Sequence, residues 1–87
     1  MDFRDGNIVL SKAGRDKGKY FIVLKVIDTN YVEIADGALR KVDNPKKKKC
    51  KHLENTGKTS EWICEKISWG IRVTNPDLKK ELAEYNV

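Results

Sequence analysis

One histidine, two cysteines, two prolines and a single methionine stand among the 87 residues, and each scarcity closes off a class of protein. Cys50 and Cys64 are too few for the disulfide framework that staples small secreted domains, and they suit a reducing compartment. With His52 they offer a C-x-H pair and one distant thiol, whereas structural zinc is held by four donors in closely spaced pairs. No metal is expected. A lone histidine has no evident nucleophile or base to work with, and Gly14 to Lys19 lacks the G-x-x-x-x-G-K-[ST] pattern of a nucleotide-hydrolysing loop. No enzyme, catalytic residue or cofactor is therefore expected. Long apolar runs are missing too. The longest, Tyr20 to Leu24, falls far short of the ~20 residues that cross a bilayer. Met1 to Asp5 contains no apolar stretch of the kind a signal peptide carries, so a soluble, cytoplasmic protein without membrane partners is the expectation.

What the chain has in abundance is charge, at 36% of residues against roughly a quarter in an average domain. The net charge is +5 and the isoelectric point about 9.3, the balance of a polyanion binder. Thirteen basic and seven acidic side chains fall in residues 1–52, and five and six in residues 53–87. All of the surplus sits in the first part, where a polyanion should meet it.

The same first part carries the β signals. Asn7 to Ser11 reads as a strand behind the Asp5-Gly6 turn, and Lys12 to Lys19 as a glycine-rich charged loop. Tyr20 to Ile27 is dense in β-branched and aromatic residues, with Tyr20, Ile22, Leu24 and Val26 on one face and Phe21, Val23, Lys25 and Ile27 on the other. Asp28-Thr29-Asn30 and Asp36-Gly37 are turn chemistry on either side of a strand over Tyr31 to Ala35. A fourth strand is expected over Ala38 to Val42, stopped by Asn44-Pro45. Short strands joined by tight turns imply a mainly β fold, a small antiparallel barrel.

After residue 58 the period becomes helical. Ser60 can cap a helix over Glu61 to Trp69, with Gly70 placed to end it. Asn75 as N-cap with Pro76 at the first helical position starts a second helix, whose apolar stripe is Leu78, Leu82 and Tyr85. The expected division is a barrel over 1–53 and a helical extension over 54–87 packed on it. Trp62 and Trp69 can either stack on unpaired bases or cover apolar area; packing against the barrel is favoured.

Asp5-Gly6-Asn7-Ile8-Val9, then Ala13-Gly14-Arg15-Asp16-Lys17-Gly18-Lys19, then Val23-Leu24-Lys25-Val26 resemble a KOW motif. That motif is a segment of an SH3-like barrel found in large-subunit ribosomal proteins and NusG-type elongation factors. The Ala35-Asp36-Gly37 turn, Leu39 to Val42, the lysine run and Lys51-His52-Leu53 are similar to a compact bacterial group of KOW proteins related to archaeal and eukaryotic ribosomal ones. The resemblance covers about residues 3–53. It implies an SH3-like barrel that binds structured RNA, above all ribosomal RNA of the large subunit.

The residue types agree. Gly14 and Gly18 let the backbone approach a phosphate closely, and Arg15 offers a planar fork of donors between the mobile charges of Lys12, Lys17 and Lys19. Asp16 would repel phosphate and is read as an acceptor that organises the loop. Arg40 and Lys41 precede Lys46, Lys47, Lys48, Lys49 and Lys51, a run that reads either as a solubilising linker or, the favoured expectation, as a mobile, sequence-blind phosphate comb. The competing expectation is a protein-interaction module in transcription or ribosome assembly, gripping a partner through the helical tail.

Overall fold

The computed structural model describes residues 3–86. Asn7–Ser11 (β1), Tyr20–Val26 (β2) and Tyr31–Ala35 (β3) form where apolar residues lie between glycine and aspartate turns. They pair antiparallel, with Ile8 opposite Ile22 and Val23 opposite Ile34. Lys46–Lys49 (β4) adds to β3, and Leu53–Thr59 (β5) adds to β1. The sheet order is β4-β3-β2-β1-β5, and a 3-10 turn over Cys50–His52 joins the two end strands in sequence. Glu61–Ser68 (α1) and Asn75–Leu82 (α2) follow. The fold is mainly β, a five-stranded antiparallel sheet with two C-terminal helices. Among the described residues the ladders end at β4 and β5.

Both faces of the sheet are buried, as the alternation in β2 requires. Phe21 and Val23 point to one side, where Phe3, Val9, Val32, Ile34 and Leu53 complete a cluster made without any helix, so the sheet curls over it. Ile22 points to the other side and meets Ile8, Ala35, Ile63, Val73, Leu78 and Leu82, the side that α1 and α2 cover. Tyr85 joins the expected stripe and stacks obliquely on Tyr20, ring centroids 5.2 Å apart. Asn86 then clasps the start of β2, accepting from the Tyr20 N–H and donating to its carbonyl, each at 2.9 Å.

Four details differ from the sequence expectation. Ala38 to Val42 is no strand, because side chains and not a neighbouring strand take the N–H groups of Ala38, Arg40 and Val42. The Asp36 carboxylate accepts from the amides of Ala38 and Arg40 at 2.9 and 2.8 Å, and Val42 donates to the Asn75 side chain at 2.8 Å. The fourth strand is instead the lysine run, which is therefore an ordered edge and no mobile comb. The part after residue 53 is not helical from its start, since Leu53–Thr59 completes the sheet, and the first helix begins at Glu61 behind Ser60 as expected. The cap of α2 is Thr74, one residue early. Its hydroxyl accepts from the Asp77 amide at 3.3 Å while the Asp77 carboxylate accepts from the Thr74 amide at 3.0 Å, a reciprocal box that outcompetes a single Asn75 side chain. The carboxylate also takes the Lys66 ammonium at 2.8 Å, which holds Asp77 below the usual carboxylate range.

The tryptophans do not pack on the sheet. Ile63 occupies that direction of α1 with full burial, and Trp69 at its C-cap is 80% exposed. Trp62 is 39% exposed and lies beneath two lysines, Lys66 and Lys80, at 4.6 and 5.6 Å from the ring centre. Cys64, expected in the core, is only half-buried, as is Cys50, which rests against the first cluster.

Candidate nucleic-acid interface

The β1–β2 loop is tightly wound. Ser11 and Lys19 close it, with the Ser11 N–H donating to the Lys19 carbonyl at 2.9 Å, and two further turns bond Lys17 to Gly14 and Lys19 to Asp16. Gly14 and Gly18 supply the positive φ, +81° and +88°, that these turns need. A Cβ at Gly18 would meet no neighbour, so the demand there is conformational and not steric. The winding leaves Arg15, Lys17 and Lys19 exposed and turns Asp16 inward.

Asp16 organises more than its own loop. Its carboxylate accepts from Nε and Nη2 of Arg40 at 3.2 and 3.0 Å, tying the loop to the β3–β4 connection. Arg40 is thus already engaged by an acid, which removes it from the set of cations offered outward. Lys41 is exposed in the turn closed by the Asn44 amide on its carbonyl, and it stands outside the main cluster.

That cluster forms where the loop meets β4. Lysine has a weak strand preference, but an edge strand of lysines is stable when its backbone pairs on one side and its charges guard the other. Register sorts the run. Lys46 and Lys48 oppose Ile34 and Val32, whereas Lys47 and Lys49 oppose Glu33 and Tyr31. Lys48 reaches back to the loop, its Nζ donating to the Ala13 carbonyl at 3.0 Å beside Gly14. Lys47 lies over the Tyr31 ring, 4.6 Å from its centre. From the other side, the Lys12 N–H donates to the His52 carbonyl at 2.8 Å, which brings Lys12 against the 3-10 turn that carries Lys51.

His52 registers the resulting field. Burial first, then the ammonium groups of Lys51, Lys48, Lys49 and Lys12, hold its imidazole below the ordinary value of 6.5. Lys12, Gly14, Lys48, Lys49 and Lys51 are therefore brought together, with Arg15, Lys17 and Lys19 on the adjoining loop. Arg40 and Lys41 are not part of that group. His52 itself was legible only as an isolated histidine, since the lysines around it come from the β1–β2 loop, β4 and the 3-10 turn.

Cys50 and His52 lie in the 3-10 turn and Cys64 on α1, and among the described residues no three metal-binding side chains gather. No described helix is long and apolar enough to cross a membrane. No protein-family model matches the chain.

Proposed function

We propose that this protein binds structured RNA, ribosomal RNA of the large subunit in particular, and that its sheet is a KOW-type SH3-like barrel. The observation that carries the proposal is the Lys48–Ala13 bond, which joins the glycine loop and the lysine strand into one basic face. A dispersed charge excess would speak for solubility alone. Here Lys12, Lys48, Lys49 and Lys51 converge on one histidine, which burial first and then these ammonium groups hold below its ordinary value. Such a face neutralises phosphates that a folded RNA crowds together, with the rigid loop supplying a fit to shape. The binding reaction needs no catalytic group, and the protein acts as a non-enzymatic component of a ribonucleoprotein in the cytoplasm.

The test is fluorescence anisotropy with ribosomal RNA fragments across a salt series. If four to six phosphates are neutralised on single-stranded-like RNA, the logarithm of affinity should fall against the logarithm of salt with a slope of about −3 to −4. A slope close to zero would overturn the electrostatic model. One observation favours a second reading, a protein partner: Trp69 and Ile71, two residues apart at the end of α1, are exposed at 80% and 55%. Retention of a partner from ribosome-free extract, abolished by Trp69→Ala while RNA affinity is unchanged, would favour it.

A further inference from the structure

Beside the lysines lies a cleft of about 510 Å³, within the roughly 300–1,000 Å³ of small-ligand sites. Phe3, Leu53 and Tyr31 form its apolar side, and Lys12, Lys49 and Lys51 its basic side. We propose that this cleft takes a single unpaired nucleotide, the base on the Tyr31 ring beside the edge of Phe3 and the phosphate against the three ammonium groups. The natural ligand rests on the RNA reading above; the chemistry of the cleft stands without it.

Its walls come from four segments, and the three that carry Lys12, Tyr31 and Lys51 are pinned to one another or to their own turns. The Cys50 N–H donates to the Asn30 carbonyl at 2.8 Å, and the Lys12 N–H to that of His52 at 2.8 Å. The Asp28 carboxylate accepts from the amides of Asn30 and Tyr31, both at 2.8 Å, fixing the turn that presents the aromatic ring. Lys47 over the Tyr31 ring fixes it further. The cleft is thus formed before any ligand arrives, and little ordering cost remains to be met on binding.

The charge pattern selects an anion. Among the described residues no carboxylate lines the cleft, and the nearby Asp28 is committed to its own turn. Burial and that same Asp28 push the Cys50 thiol upward, so Cys50 stays a neutral part of the wall. The apolar side then selects among anions. Inorganic phosphate or an acidic peptide would satisfy the lysines and leave the half-buried Tyr31 ring wet, whereas a base covers it, with the edge of the buried Phe3 behind. Thr29 and Asn30 at the cleft bring the small polar donors and acceptors that read base edges.

The experiment titrates the full chain with uridine and adenosine 5′-monophosphate, with inorganic phosphate and with uridine, following backbone amide shifts by NMR. Amides of Lys12, Asn30, Tyr31, Cys50 and Lys51 should move. The nucleotides should bind roughly five- to 150-fold tighter than phosphate, the span of one base–aromatic stack. Tyr31→Ala should abolish that advantage, and Lys51→Gln, on an exposed residue, should weaken nucleotide and phosphate alike. Equal affinity for nucleotide and phosphate overturns the proposal, whichever variants fold. A second arm compares an RNA hairpin carrying one bulged nucleotide with its fully paired counterpart, and the bulged form should bind more tightly. If both hairpins bind alike and mononucleotide leaves the cleft unmoved, the cleft proposal falls while the RNA reading survives. If mononucleotide fills the cleft and neither hairpin binds, the RNA reading falls and the cleft proposal survives.

Discussion

His52 is the residue from which the charge of this surface can be measured. Its folded pKa lies below 6.5, so the fold favours the neutral ring. The sign follows from linkage: its contribution to stability is complete above about 6.5 and is lost as pH falls from there through the folded value. A bound polyanion would offset the repulsion from Lys51, Lys48, Lys49 and Lys12, and so raise the imidazole's pKa. NMR titration of the His52 ring with and without RNA should show that upward move. An unmoved midpoint in saturating RNA would mean these lysines are not the ones neutralised. Of this cluster the sequence displayed the lysines, because charge is visible one residue at a time. It did not display the histidine's role, or that of Phe3 and Tyr31 in the cleft, because those depend on convergence between segments. Arg40 shows the opposite error: a cation in sequence, it spends its guanidinium on Asp16 in space.

Among the elements, the turn after β3 shows how local bonding overrides strand propensity. Ala38 to Val42 has the composition of a strand, yet Asp36 closes Asp36 to Arg40 into a loop, with the amides of Asp36 and Gly37 both donating to the Arg40 carbonyl. Gly37 holds φ at +82°, and a Cβ there would collide with the Asn75 carbonyl oxygen at the start of α2. Gly37→Ala should therefore cost at least about 2 kcal/mol, from backbone strain and displacement of α2 together. Thermal melting should show a midpoint lower by about 10 °C or more; a shift of only a degree or two would mean the turn and α2 are not held in contact. β1, β2 and β3 were legible with nearly correct limits, since their hydrophobic period and flanking turns agree. β4 was not, because four lysines carry no hydrophobic period and only the neighbouring β3 makes them a strand. The helices were legible to within a residue, the capping chemistry at Ser60 and Thr74–Asp77 being local.

At the scale of the whole molecule, β1, β2 and β3 serve two cores at once, and this ties the helices to the sheet. Phe21 and Ile22 are adjacent and both fully buried, one in each cluster. The division at residue 53 that the sequence suggested cuts through β5, and the helical part starts where the change of period and the Ser60 cap place it. Leu78→Ala, at a fully buried position of α2, should cost about 2–5 kcal/mol and lower a single cooperative transition of sheet and helices together. A biphasic melt, with β signal surviving loss of helix, would show instead that the sheet stands alone. The lysine edge has a last consequence, for self-association. β4 ends the sheet order, so its outer side is where a second copy could extend the ladder, and four like charges in a row keep two such edges apart. A polyanion that neutralises those charges removes the guard while it occupies the face. Copies crowded on an excess of short polyanion should remain apart, each edge covered, but copies sharing too little of it should pair edge to edge. Light scattering against polyanion ratio should then peak at low ratio and fall away as the polyanion becomes abundant; scattering that never rises would show that the strand is protected by its backbone geometry and not by its charge.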